Sequence, residues 1–282
     1  MAVRIYTDNG CDLDRTMLDE LGVGCFYIST MLGGVTYLDR YNLDPPEFYR
    51  MLQEEGGVPT TAQITPQTFL AEFEKTLAQT KDDIIYIAFS SGLSGTYQNA
   101  CLARDQLDKN RITVIDSKCA TVAQGLIVVR AARARVQGST KEELIAQIEN
   151  DVRRIEMLFI VGNFEMLKRG GRVSATSATL GNLLNIKLIL HFVDGKIFPL
   201  EKVRGLKKAQ KRLLDLVDER LKDRTRPLPL IGVNHSQDEQ AARDLKQLLE
   251  ERFGYQDFLV SEIGAVIGSH VGAGTMGVYF LR

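Results

Sequence analysis

The stretch Ile84-Ile85-Tyr86-Ile87-Ala88-Phe89-Ser90-Ser91-Gly92-Leu93-Ser94-Gly95-Thr96-Tyr97 decides the reading of this chain. Its unbroken apolar half describes a strand buried on both faces, as in a parallel sheet, and the small hydroxyl-rich turn that follows opens a helix. The first amides of such a helix have no intrahelical partner, so the turn makes a site for an anionic head group such as a carboxylate or phosphate. A plain serine cap, with Gly95 permitting close strand–helix packing, fits the same residues.

Working outward, short apolar runs at 3–7, 23–28 and 112–115 repeat the strand signal, and amphipathic stretches at 14–21, 45–55, 66–79, 95–109, 120–137 and 141–155 separate them. That alternation is the sign of βα units around a largely parallel sheet. In the helix at 120–137, Leu126, Val129, Ala132 and Val136 recur at three- and four-residue steps, and Gly138 follows as a C-terminal cap. Thr140 and Glu143 then form a capping box for the next helix. Small polar residues follow the strands: Thr7, Asp8 and Asn9, then Ser90, Ser91 and Ser94, then Asp116 and Ser117. The carboxyl ends of strands are where ligands bind in open α/β sheets.

The pattern changes after the charged segment 151–156, which sets a boundary between an N-terminal α/β domain, 1–155, and a mixed α+β domain, 156–282. After the apolar run 157–161, the second part reads as short strands at 187–191, 196–198 and 200–203. Two of these face each other across Asp194-Gly195. Helices at 206–222 and 238–252 flank a strand at 230–234, and strand-like runs at 258–262, 265–269 and 276–281 finish the chain. Asn163, Asn234, His235 and His270 are the polar positions that stand out there, with His270 at a strand end among glycines.

Of 282 residues, 44% are hydrophobic and 25% charged, enough apolar material for a substantial core. The balance of 35 cations and 36 anions, 35 − 36 = −1, leaves no overall field for nucleic acid, a membrane surface or a polyanion. The N-terminus lacks the apolar stretch of a secretory signal, so a cytoplasmic location is expected. No run reaches the ~18 apolar residues of a transmembrane helix. Cys11, Cys25, Cys101 and Cys119 show no Cys-x-x-Cys spacing, so reduced thiols are expected, and with only three histidines no metal centre is.

Four further features bear on chemistry. Ser94 sits where acyl hydrolases place a nucleophile, yet Thr96 occupies the position of the second glycine in G-x-S-x-G, and no acid–His pair is identifiable to activate it. Lys168, Arg169 and Arg172 surround Gly170-Gly171, either as an anion or acidic-partner site or as a solvated turn. Arg204, Lys207 and Lys208, with Lys202, Lys211 and Arg212, form an interaction patch or only a solvated helix face. Asp8 would repel an anion, and its expected task is to cap the helix near 13–21 or to orient Thr61 or His270.

Together these strings resemble the DegV family, the lipid-carrying subunits of bacterial fatty acid kinase. The resemblance rests on Thr7-Asp8, Thr61-Ala62-Gln63 with Thr65-Pro66, Leu93-Ser94-Gly95-Thr96-Tyr97-Gln98, Val114-Ile115-Asp116-Ser117-Lys118, Gly170-Gly171-Arg172-Val173-Ser174, Ile186-Lys187, Asp194-Gly195-Lys196, Val203-Arg204-Gly205 and Gly268-Ser269-His270. It runs nearly end to end. It implies a two-domain DegV-like fold with a long-chain fatty acid buried between the domains and no cofactor. Thr61, Ser94, Gly95 and His270 are the implied carboxylate contacts. It also implies that the protein is not itself an enzyme: a separate ATP-binding kinase subunit phosphorylates the bound carboxylate, docking on Arg204, Lys207 and Lys208. Nucleic acid is not an implied partner, and transient contact with a membrane surface stays open. Ala62 and Ile64 stand where Ser and Pro are usual, and Leu188 where Pro is. The rival readings are an enzyme using Ser94 or His270 in acyl or phosphoryl transfer, and a module for a small polar anion.

Overall fold

The computed structural model describes residues 2–55, 57–173, 185–221 and 230–282. β6 (Asp83–Ala88) lies in a parallel four-stranded sheet with β1 (Val3–Asp8), β2 (Val23–Phe26) and β7 (Ile112–Asp116), in the order β2-β1-β6-β7. Every residue of β6 is buried because both its faces are covered. Ile84 and Tyr86 point into an aromatic cluster with Phe26, Phe69 and Phe73, beneath α3 (Pro66–Gln79) and α4 (Thr96–Arg104). Ile85 and Ile87 point the other way, to Leu126, Ile127 and Leu144 of α5 (Thr121–Val136) and α6 (Lys141–Arg154). This alternation is the two-residue period of a strand.

A second sheet of six strands, in the order β10-β9-β8-β13-β11-β12, occupies the C-terminal part. β8 (Ile155–Ile160), β9 (Ile186–Val193) and β13 (Met276–Leu281) pair antiparallel, while β11 (Ile231–His235) and β12 (Phe258–Glu262) run parallel. The expected three short strands after residue 186 are instead one hairpin, β9 with β10 (Lys196–Arg204), whose register shifts between Pro199 and Glu201. Its turn places Asp194 and Gly195 at φ 48° and 77°, as a two-residue hairpin loop requires. α8 (Leu206–Arg220) and α9 (Glu239–Phe253) cover one face through Leu213, Val217, Leu245 and Leu249. Ser174 of the string at 170–174 and position 222 of the expected helix at 206–222 lie outside the described residues.

α5 packs against β1 and β6 of the first sheet and against β8, β11, β12 and β13 of the second. A helix held between two sheets is buried all round, so Val122, Ala123, Ile127 and Val128 are buried along with the expected Leu126, Val129 and Ala132. Val136 departs from the expected stripe: it is 78% exposed, because the last turn emerges into solvent. Gly138, at φ 92°, then donates to Arg135 O, and Ser139 N donates to Ala134 O, closing the helix as a Schellman motif. The Thr140–Glu143 capping box is formed in both directions.

Two elements differ from sequence expectation and both shape the site. A three-stranded antiparallel sheet, in the order β4-β3-β5, is made of β3 (Ser29–Leu32), β4 (Val35–Leu38) and β5 (Thr60–Ala62). Residues 265–269 are not a strand but part of α10 (Ala265–Val271), which packs on β3, β5 and α2 (Pro45–Glu55). Gly268 permits that approach: a Cβ there would lie 2.7 Å from Phe48 Cε1 and from Tyr49 Oη.

Asp8 is fully buried and touches neither Thr61 nor His270, nor does it cap α1 (Arg15–Glu20), contrary to expectation. It accepts hydrogen bonds from Tyr86 Oη (2.6 Å), Phe89 N (2.9 Å), Gly10 N (3.1 Å) and Gln124 Nε2 (3.3 Å), tying the end of β1 to β6, to α5 and to the short helical turn Asn9–Cys11. Burial raises its carboxyl above the ordinary range, and these donors oppose the shift. Asp8→Ala strands three donors in the core, Tyr86 Oη, Phe89 N and Gly10 N, while Gln124 keeps Thr7 Oγ1 and Ile87 O, and it is expected to lower the unfolding free energy by roughly 3 kcal/mol. Urea denaturation measures it, and a loss below about 1 kcal/mol contradicts this role.

Candidate functional site

Between the sheets lies a cavity of about 360 Å³, within the ~300–1,000 Å³ range of small-molecule sites. Its apolar wall comes from both halves of the chain, including Ile28, Phe89, Phe159, Phe192, Ile263 and Val266. Several polar groups deep in the wall bond to other protein groups, although Asn234 Oδ1 has no partner among the described residues. Thr121 Oγ1 donates to Asp12 Oδ2, Asn234 Nδ2 donates to Thr121 Oγ1 (2.8 Å), and Thr275 Oγ1 donates to Val271 O (3.1 Å). No group of three or more candidate metal-ligating side chains occurs among the described residues.

The structure places all four sequence-predicted ligand residues, Thr61, Ser94, Gly95 and His270, on the wall of this one cavity. β5 carries Thr61 and α10 carries His270, and Thr61 Oγ1 lies 3.0 Å from His270 Nε2 across 209 residues of chain. The imidazole is therefore in the last turn of a helix, not at a strand end. Ser94 Oγ lies 3.0 Å from Thr96 Oγ1 and accepts from Thr96 N (3.3 Å), so the turn after β6 is locked on itself. A Cβ at Gly95 would fall 2.0 Å from Gln63 Oε1, the movable end of an exposed side chain. Ile64 N donates to Thr96 Oγ1 (3.4 Å), a bond that proline at this position lacks the N–H to make.

Arg172 is a cavity residue that the sequence leaves between two interpretations. It lines the cavity, its Nε donates to Leu93 O (3.2 Å), and its guanidinium also bonds Gly170 O. It thus joins the Ser94 turn to the His270 side of the mouth. The three-cation string around Gly170-Gly171 was the available signal. What it lacked was α7 (Phe164–Arg169), which carries the string to α10. Lys168 and Arg169 of the same string are exposed.

Burial, helped by the nearby charge of Arg172, lowers His270 to about 4, so the ring is neutral at neutral pH. Its Nδ1 is buried without a partner, packed against Gly170, where a Cβ would come within 2.5 Å of it. In the Nε2–H tautomer the ring donates to Thr61 and leaves the threonine O–H free to donate to a ligand oxygen. Arg172 then supplies the charge that balances an anion, while Thr61 and His270 supply direction. No carboxylate orients His270, and its Nε2 bonds Thr61 rather than Ser94, so the parts of a nucleophilic triad are not assembled among the described residues.

These features define an α/β protein of three sheets with an apolar chamber whose wall carries a cluster of polar side chains. The chain belongs to the DegV family: the sequence pattern of that family, described as uncharacterised, matches residues 2–282. It is 34% identical over 278 residues to a DegV domain-containing protein of Caldanaerobacter subterraneus, covering 99% of this chain and 98% of that one. Among solved structures, a DegV family protein from Thermus thermophilus, described by its fatty acid binding, is similar with a TM-score of 0.92 at 32% identity, with 100% of both chains covered. DegV of Bacillus subtilis, described as a fatty acid binding protein, is similar with a TM-score of 0.88, also at 32% identity and 100% of both chains.

The neutral His270 has a measurable consequence. The unfolded chain takes up a proton as pH falls from the ordinary 6.5 to about 4, and the ligand-free folded chain does not, so this residue lowers stability as pH falls through that window. Its ring resonances in NMR are expected to stay fixed from about pH 8 to about pH 5.5. A midpoint near 6.5 contradicts the assignment.

Proposed function

We propose that this protein is a fatty-acid carrier: it buries a long-chain fatty acid in the cavity and presents the carboxylate to a separate ATP-dependent kinase subunit, which converts it to an acyl phosphate. The observation that carries this reading is an apolar chamber at one wall of which the polar side chains of Thr61, His270 and Arg172 gather. A tail of about sixteen CH₂ groups at ~0.8 kcal/mol each supplies ample gross driving force, so a few polar groups suffice to fix orientation. The fatty acid binding ascribed to the Thermus and Bacillus relatives supports the same ligand class. The polar pairing of Ser94 with Thr96 and of His270 with Thr61 supports presentation over covalent chemistry.

Arg204, Lys207 and Lys208 are the proposed docking face for the kinase subunit. All three are exposed and have no ion-pair partner among the described residues. Lys207 and Lys208 stand in the first turn of α8, where cations oppose the helix dipole. Helix stability therefore does not account for them, whereas an acidic partner does.

Reconstitution with the kinase subunit tests both halves. Native mass spectrometry is expected to find a C14–C18 acid that denaturation releases intact, and Ser94→Ala with His270→Ala to retain roughly tenfold less of it while still folded. Arg204→Ala with Lys207→Ala is expected to load normally and yield several-fold less acyl phosphate. A persistent adduct on Ser94, or equal lipid content in the double variant, overturns the carrier site; unchanged turnover moves the docking face elsewhere.

A further inference from the structure

A buried knot of charge lies where the turn after β1 and the loop after β4 meet the corner between β12 and α10. Asp12 and Asp39 are fully buried, and the Arg40 side chain beside them is only 7% exposed. Arg40 Nη2 donates to Ser261 Oγ (3.2 Å) and to Glu262 O, and lies 4.0 Å from Asp12 Oδ1. Asp12 Oδ1 accepts from Gly264 N (2.9 Å), Asp12 Oδ2 accepts from Thr121 Oγ1, and Asp39 Oδ2 accepts from Val266 N (3.4 Å). Gly264 makes room for this: a Cβ there would lie 2.1 Å from Asp39 Oδ2. Thr121, Ile263 and Val266 line the lipid cavity, so the corner that the cluster grips is cavity wall, and α10 leads from it to His270.

The cluster is one positive charge short. Two buried carboxylates share one guanidinium, and the third acid on Arg40, Asp14, is exposed to solvent. Carboxylates buried together without a cation for each are costly to ionise, so the pair retains a proton. Burial pushes Asp12 up to about 7, Arg40 opposes the shift and Asp39 adds to it; burial raises Asp39 as well. The other titratable groups around the pair are Cys11, Cys25 of β2, Tyr49 of α2 and Tyr279 of β13, all raised by burial and neutral near pH 7, together with Glu262 at the end of β12.

We propose that this cluster is a latch on the lipid cavity: Arg40, Asp12 and Asp39 hold the β12–α10 corner shut, and the cavity exchanges its ligand by parting that corner, with one proton released from the carboxylate pair to water. The inference rests on the carrier reading above and adds the route by which a buried lipid enters and leaves. In the parted state the carboxylates meet water and ionise in the ordinary range, so the open state binds the proton less tightly than the closed one. Falling pH therefore favours the closed state, and pH rising through about 7 favours the open one. His270, at about 4, does not titrate in this window.

The test follows exchange of bound radiolabelled palmitate for excess unlabelled palmitate on the intact chain. The rate is expected to rise roughly tenfold from pH 6 to pH 8. Asp12→Asn and Asp39→Asn each leave one buried carboxylate to the one guanidinium, and each is expected to vary less than about twofold over the same range, with folding checked by circular dichroism. A rate that stays flat or falls with rising pH in the unsubstituted protein overturns the latch whether or not the variants fold, and so does an undiminished rise in either folded variant; both results leave the carrier reading intact. If the unsubstituted protein takes up no palmitate, the carrier reading itself fails, and the latch with it.

Discussion

The hydrogen bond between Thr61 and His270 is the contact on which the site depends. It joins a strand of the smallest sheet to a short helix near the C-terminus, two elements that share no sequence neighbourhood. Each partner is held from behind. Thr61 pairs in register with Thr30 of β3, and α10 is drawn onto α2 through Gly268. The bond therefore needs no long side-chain excursion, and the entropy of fixing it is met by packing already in place.

The electrostatics of the mouth follow from the same packing. Burial keeps the imidazole neutral, so the site does not present two adjacent cations when empty, and the guanidinium of Arg172 keeps the only full positive charge at the Thr61–His270 wall among the described residues. An ionised ligand entering there meets one cation and a set of directed donors. In an apolar enclosure such donors are stronger than in water, and their small number is offset by the tail.

Much of the architecture is legible in the sequence where one physical signal dominates. The unbroken apolar run of β6 identifies a strand covered on both faces, and the Thr140–Glu143 box marks the start of α6. The DG turn marks the β9–β10 hairpin, though Pro199 splits its second strand in the reading. The small sheet is not legible, because its strands have three or four residues and contain Thr60, Thr61, Ser29 and Thr30, which read equally well as loop. α10 is missed because Val266, Ile267 and Val271 favour strand locally, and packing on α2 overrides that preference. Thr61, Ser94, Gly95 and His270 are reached from the sequence only through the family motifs, and the structure places them on one cavity wall. The convergence of Arg172 with them required the three-dimensional path of α7.

The central claim is orientation: a fatty acid lies with its head at the Thr61–His270 wall and its tail between the sheets. The most direct measurement is nuclear Overhauser contact between isotopically labelled palmitate and the protein. The account predicts contacts from the methylene beside the carboxyl group to the Thr61 methyl and the His270 ring, with the terminal methyl contacting neither. A bound palmitate whose terminal methyl touches those two residues, or whose head group touches neither, contradicts it.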